Sequence, residues 1–259
     1  MLTEQRYEVI LRLLEERKSI TINEIRDALD ISESTVRRDI TALHNAGRLV
    51  KVFGGAVAID RSAFNPKELT VAQKMEVNQE EKRRIARYAA TLIEPEDFVY
   101  LDAGTTTGYM IDYIDVPTAV FVTNAVEHAR RLVTKGIRVL LVGGELKAST
   151  EAVVGNQAIR TLLQYHFTRG FFGTNGITRK AGCTTPDASE ANVKQTAIGQ
   201  CSKSCILADY SKFGAISSVT FAPFEGTMIL TDQSVEGYGD CKNVIVAGQK
   251  TSDSRRNLF

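Results

Sequence analysis

The chain has 259 residues, 43% of them hydrophobic and 24% charged, a length comfortable for two domains and a composition that builds a core without disulfides or metals. The net charge of +1 gives no global signal for nucleic acid, so a DNA-binding role must rest on one basic face. Of the four cysteines, Cys183, Cys201, Cys205 and Cys241, only Cys201 and Cys205 are close, one helical turn apart and without a nearby histidine; this is not zinc-knuckle spacing, and reduced thiols with no metal are expected. There is no signal-peptide core at the start and no apolar run of about 18 residues, so a soluble, cytoplasmic protein with no membrane partner is expected.

Residues 3–57 read as three short helices and a hairpin. Tyr7, Ile10, Leu11 and Leu14 fall at helical spacing. Lys18 and Ser19 break the pattern. Thr21 then caps a second helix, with Glu24 at the capping-box position and Ile22, Ile25 and Leu29 on its apolar side. Asp30 to Ser32 form a turn, Ser32 is the N-cap of a third helix from Glu33 to about Ala46, and Gly47 ends it. A weakly alternating stretch from Arg48 to Val52, a turn at Gly54-Gly55 and a return strand from Ala56 to Ile59 complete a wing.

Residues 58–78 read as a linker, with an ambiguous stretch from Leu69 to Val77 suited to a short arm. Residues 79–248 then alternate between helical and strand patterns. Glu80 to Ile93 is amphipathic. Seven short apolar runs follow: Phe98–Leu101, Ala119–Val122, Arg138–Val142, Gly170–Phe172, Cys205–Ala208, Met228–Leu230 and Val244–Val246. Such strands, interleaved with helices, predict a mostly parallel sheet covered on both faces.

On the third helix, Val36, Ile40 and Leu43 make the buried stripe, while Ser34, Arg38, Thr41 and Asn45 point the other way with Thr35 and Arg37 beside them. Hydroxyl and guanidinium groups on one helix face suit a major groove. Ser34, Thr35 and Arg38 are the base-edge candidates and Arg37 and Lys51 the phosphate candidates, with Ser32 at the helix start. A solvated face of an interaction module is the competing reading; the helix order and the Gly-Gly wing favour DNA. The run Ile31-Ser-Glu-Ser-Thr-Val-Arg-Arg-Asp-Ile40, with Leu43 and Lys51-Val-Phe-Gly-Gly-Ala56, resembles the deoxyribose-operon-repressor (DeoR) family. Phe53 stands where that family has a wing histidine, so that histidine's contact does not carry over.

In the second half, Phe98-Val-Tyr-Leu-Asp-Ala-Gly-Thr-Thr-Thr-Gly108 is a strand entering a small-residue loop and a helix. Backbone N–H groups at a helix start can cradle an anion there, and a tight turn with a helix cap is the alternative. It is neither a dinucleotide fingerprint nor a Walker loop, and no cofactor is called for. Thr123-Asn124, Gly143-Gly144 and Gly173 to Ile177 also follow strands, where α/β folds bind ligands. Lys194 on a helix and Lys212 after a strand could add charge.

These segments resemble the C-terminal sensor of the same family, whose fold is similar to ribose-5-phosphate isomerase and glucosamine-6-phosphate deaminase. The resemblance implies a sugar phosphate against Gly104, Thr105, Thr106 and Thr107, with Asp102, Thr123, Asn124, Gly143, Asn175, Lys194 and Lys212 nearby. The segments Gly144–Glu151, Phe171–Asn175 and Gly182–Asp187 resemble the fructose-operon-repressor branch, implying fructose 1-phosphate. Where the isomerases carry Asp-Gly-Ala-Asp-Glu, this chain has Gly173-Thr-Asn-Gly-Ile177, and Asn175 cannot act as a carboxylate base. No catalytic residue is therefore assigned. The expectation is a repressor that binds double-stranded operator DNA under control of a sugar phosphate, as a homo-oligomer of at least two chains; an isomerase-like enzyme with an accessory helical domain is the alternative.

Overall fold

The computed structural model describes residues 3–17, 19–45, 48–52, 54–57 and 70–249. The chain divides into two compact units, residues 1–63 and 64–259.

In the first unit, α1 (Thr3–Arg17), β1 (Ser19–Thr21), α2 (Ile22–Leu29), α3 (Glu33–Asn45), β2 (Val50–Val52) and β3 (Gly55–Val57) follow one another. The strands pair antiparallel in the order β1-β3-β2; β1 lies where the apolar periodicity breaks and is a strand the sequence does not announce. The capping box on α2 forms, with Glu24 N–H donating to Thr21 Oγ1 at 3.2 Å and Thr21 N–H to Glu24 Oε2 at 2.7 Å. Asp30 ends α2 in the left-handed region at φ 50°. Ile10, Leu14, Ile25, Leu29, Val36, Ile40, Leu43 and Leu49 form the core, so the stripe expected on α3 faces inward. The expected end of α3 at Ala46-Gly47, the wing residue Phe53 and the return strand beyond Val57 lie outside the described residues, as does the linker through 69.

The second unit begins with α4 (Val71–Glu76) and α5 (Gln79–Ala90). Thus 71–76, expected within the linker, is a helix joined to this unit: Val71 N–H reaches the Ser149 carbonyl at 3.3 Å. There follow β4 (Phe98–Leu101), α6 (Thr105–Tyr113), β5 (Val120–Thr123), α7 (Val126–Thr134), β6 (Val139–Leu141), β7 (Glu145–Leu146), β8 (Val153–Val154), α8 (Asn156–Leu162), β9 (Phe167–Gly173), β10 (Gly176–Thr178), β11 (Gly182–Thr185), α9 (Ala188–Gly199), β12 (Cys201–Leu207), β13 (Val219–Ala222), β14 (Met228–Thr231) and β15 (Val244–Val246). Among the described residues, seven strands make one parallel sheet in the order β15-β14-β12-β9-β4-β5-β6. They fall on the seven apolar runs read from the sequence. Cys201 and Cys205 share β12 rather than a helix, and the four cysteines are unbridged.

Alternate residues along each strand serve opposite faces. Val99, Leu101, Phe121, Phe171, Leu207 and Leu230 pack with α5, α6 and α7. Tyr100, Val122, Phe172, Ile206 and Ile229 pack with α8, α9 and the small antiparallel sheet β10-β11-β13. The chain leaves β4 toward β5 and β6, then returns to place β9 on the other side of β4. The β4/β9 boundary is thus a topological switch point, where strand ends part and leave a crevice.

Gly55 pairs with Thr21 across the first unit's sheet, and a Cβ there would run into the Ile20 carbonyl oxygen and lie 2.9 Å from Thr21 Cα. Backbone on both sides cannot yield cheaply. Gly55→Ala is expected to cost about 1–3 kcal/mol, read by urea unfolding followed through hydrogen exchange of the α2 and α3 amides; unchanged protection would contradict this packing.

Candidate functional site

In the first unit the outer face of α3 opens with a cluster of hydroxyls. Ser32 Oγ lies 2.9 Å from both Ser34 Oγ and Thr35 Oγ1 and accepts the Thr35 N–H at 3.3 Å, serving as the expected N-cap. Arg38 is exposed beside them. Arg37 bends back to Glu33 at 2.5 Å, and Thr41 donates to the Arg37 carbonyl at 2.7 Å while accepting Lys51 Nζ at 3.0 Å. Lys51 thus joins the wing to the helix on the face where the sequence placed both. The sequence reading missed Asp39, which is buried and holds Arg6 through bonds of 2.6 and 3.0 Å. Its position three residues from Val36 and one from Ile40, on the apolar side, was the available signal: a carboxylate there needs a cation.

In the second unit a cavity of about 420 Å³ sits at the switch point, a size ordinary for small ligands. Gly104, Thr105, Thr106, Asn175, Lys194 and Lys212 line it. Thr107 instead knits the turn together: its hydroxyl bonds the Asp102 carbonyl at 2.6 Å and accepts the Gly104 N–H at 3.0 Å. Thr123 Oγ1 donates to the Leu101 carbonyl at 2.6 Å. Asn124 is a buried bracket, accepting Tyr100 OH and Ala103 N–H, each at 3.0 Å, and donating to the Val153 carbonyl at 3.1 Å. Gly143 is exposed and does not line the cavity, because it follows β6, the sheet's edge, two strands from the switch point. Thr107, Thr123 and Asn124 thus brace the turns beside the cavity rather than lining its wall.

Asp102 is almost wholly buried. Its Oδ2 accepts the Gly173 N–H at 2.9 Å and is in contact with Lys194 Nζ, which also donates to the Gly173 carbonyl at 3.2 Å. Two glycines meet here: a Cβ on Gly104 would stand 3.1 Å from Thr107 Oγ1 and 3.6 Å from Gly173 Cα. The first-turn amides of α6, which no helical carbonyl can satisfy, therefore sit at the cavity with their dipole favouring an anion.

The wall contains groups the sequence reading did not select: Lys82, Tyr109, His128, Arg131, Thr150 and Met75. Lys82 shares the buried side of α5 with Ile85, Ala86 and Ala89, so a lysine at apolar spacing was its signal. Burial first, and then the charge of Lys212, push the Lys82 ammonium down to about 8. Asp209 lies 3.6 Å from Lys212. Its burial works to raise the carboxyl, but Lys212, the bonds from Ser211 and Asn78, and Lys82 outweigh it and hold the group ionised. Two ammonium groups thus share one carboxylate on this side of the cavity. Elsewhere charges are matched: Arg131 meets Asp112 at 2.6 Å, and Glu190 takes Lys147 at 3.2 Å and Thr150 Oγ1 at 2.5 Å. Asp187 caps α9 by accepting the Glu190 N–H at 2.9 Å and pairs with Lys147 at 3.1 Å. Both carboxylates that could have served as bases are engaged in holding the structure. Among the described residues, no group of three or more His, Cys, Asp or Glu could hold a metal ion, and no helix is long and apolar enough to cross a membrane.

Two predictions follow from the buried charges. Asp102→Asn leaves the Lys194 ammonium buried with no counter-charge and should cost about 3–5 kcal/mol by urea unfolding; a loss below about 1 kcal/mol would mean the pair is effectively solvated. His128 is held down to about 4, by burial first and the Arg131 charge second. The unfolded chain takes up a proton near pH 6.5 that the folded chain refuses, so this stability is whole above about pH 6.5 and drains as pH falls toward 4. Asp232, raised to about 6 by burial and by Asp209, works the opposite way. The difference in unfolding free energy between the native chain and His128→Asn isolates the histidine and should shrink on acidification; a constant difference would contradict a buried neutral imidazole.

Two family models match this chain: the DeoR-like helix-turn-helix domain over residues 6–62 and the DeoR C terminal sensor domain over residues 77–233. The uncharacterized HTH-type transcriptional regulator FruR of Bacillus subtilis (strain 168) is 42% identical over 90% of this chain and 92% of that protein. The regulator IolR of the same organism is 32% identical over 84% and 86%. The lactose phosphotransferase system repressor of Staphylococcus aureus (strain N315) is 34% identical over 90% and 93%. Among solved structures, ribose 5-phosphate isomerase a of Methanocaldococcus jannaschii matches 52% of this chain and 55% of its own at 14% identity and a TM-score of 0.40. The relatives are regulators and repressors, and this chain belongs with them to the DeoR family of DNA-binding transcription regulators, not to the enzymes.

Proposed function

We propose that the protein represses a sugar-utilisation operon, that its second unit binds a phosphorylated sugar, and that fructose 1-phosphate is the lead effector. The observation that carries this reading is the cavity side where Lys82 and Lys212 share Asp209 near the open end of α6. A phosphate dianion there would supply the missing negative charge and accept the first-turn amides of Thr105 and Thr106. The sugar would lie toward Asn175, Thr150 and Arg131, whose donors suit hydroxyls. The names of the relatives support a sugar operon, and 42% identity to FruR supports fructose over lactose-derived effectors.

On the DNA side, Ser34, Thr35 and Arg38 read base edges while Ser32, Arg37, Thr41 and Lys51 meet the backbone. Operators bound by such heads are two-fold related, so the working species is at least a dimer.

Fructose 1-phosphate at about 100 times its dissociation constant should stabilise the full chain by about 2.7 kcal/mol, with fructose and inorganic phosphate much weaker. If no phosphorylated sugar shifts the melting temperature, the effector reading fails. On an operator selected from random duplexes, Arg38→Ala should lose about 1–3 kcal/mol and relax one base position, whereas Lys51→Ala should weaken all sequences alike and lower the salt slope by about 1. Equal affinity of the native chain for selected and random DNA would exclude a sequence-reading repressor.

A further inference from the structure

Helix α4 forms part of the cavity wall through Val71, Lys74 and Met75, yet it has six residues and buries none of them. A helix that short cannot hold itself together in water. Its own capping box, Thr70 with Gln73, secures the start. The end depends on the body of the unit. The Lys74 carbonyl receives the Lys82 ammonium, and the Met75 carbonyl faces Tyr109 OH at 3.4 Å. Lys82 is thus a cationic cap on the negative end of α4, supplied from the next helix. Just beyond, the backbone turns from extended at Val77 to left-handed at Asn78, φ 51°. Asn78 is pinned there by Asp209 at 2.8 Å and Ser211 at 3.1 Å. The end of the arm is therefore held by a charged bond and followed by a fixed left-handed residue.

The same ammonium faces the cavity. Lys82 has one neutral carbonyl for a partner, the cations Lys212 and Lys74 near it, and Asp209 and Glu81 as the nearby anions. An ammonium bonds a phosphate oxygen more strongly than a peptide carbonyl. We infer that Lys82 is the residue through which the cavity controls the arm: a phosphorylated ligand takes the ammonium from the Lys74 carbonyl, the end of α4 loses its cap, and residues 71–77 loosen about Asn78. This rests on the reading of the cavity as an organic-phosphate site and adds how occupancy leaves it. The arm is the first described segment of the second unit in chain order, so along the chain it lies nearest the first unit.

The test is hydrogen exchange on the full-length protein with and without fructose 1-phosphate. Amides of 73–77 should exchange about tenfold faster or more when ligand is bound, while the sheet strands become slower. In unliganded Lys82→Met the arm should already exchange at the faster rate, and ligand should add nothing there. Lys82→Arg, which keeps a charged donor, should restore protection in the free protein, and the melting temperature of each variant reports that it is folded. Arm protection in Lys82→Met equal to the native chain overturns the cap. A ligand that stabilises the protein but leaves 71–77 unchanged or more protected overturns the coupling while the binding reading stands. If no phosphorylated sugar binds, the binding reading and the coupling both fall, and the unliganded variant still decides the cap.

Discussion

The arrangement of the second unit depends on one buried carboxylate. Asp102 leaves β4 at the switch point and is met there by the Gly173 N–H of β9 and the Lys194 ammonium of α9. A charge in that position is tolerable only if fully paired, so its partners are obliged to stay. That obligation joins the two central strands to a helix from the far side of the sheet, and the cavity is the space left above the junction. The close approach of Gly104 and Gly173 is the steric counterpart of the same joint.

Around this joint the polar residues divide by whether water could have reached them. Thr107, Thr123 and Asn124 satisfy backbone groups of turns that would otherwise be buried without partners, and so they fix loop shape. The cationic side chains behave differently. Lys194 is neutralised by Asp102, Lys147 by Asp187 and Glu190, and Arg131 by Asp112. Lys82 and Lys212 must divide Asp209 between them. Electrostatic need is therefore concentrated on the α5 side of the cavity, next to the arm that enters the unit. In the proposed coupling, ligand charge and arm stability compete for the same ammonium.

The first unit obeys a similar rule on a smaller scale. Asp39 points inward to Arg6 and locks α3 to α1, and Val36, Ile40 and Leu43 bury the same side. What remains outside is the hydroxyl cluster at Ser32, Ser34 and Thr35 with Arg38 and the Thr41–Lys51 link. This exposed face is fixed to the core because Asp39, next to Arg38, is a buried acid anchored by Arg6.

Local patterns were enough to mark many of the elements in both units. Helical spacing, the Thr21–Glu24 box, the Ser32 cap and the seven apolar runs are properties of short stretches, and the structure places an element on each. The Arg-Arg-Asp run and the Gly-Thr-Thr-Thr loop stood out for the same reason: the chemistry each suggests is carried by neighbours in the chain. Strand order was another matter. Which strand ends meet at the crevice depends on long-range pairing, so Gly143, at the edge, looked equivalent to Gly173, at the centre. The remaining cavity residues came from α4, α5, α6, α7 and the loop between β7 and β8, and among them Lys82 and His128 sit at positions that periodicity assigns to the core. The sequence by itself determined the three helices of the first unit, the seven strands of the parallel sheet and which loops carry polar chemistry, because these follow from side chains within a few residues of one another. Only the tertiary structure decided which of those polar groups face the cavity and which hold the frame, because that depends on long-range packing and on how it distributes the charges.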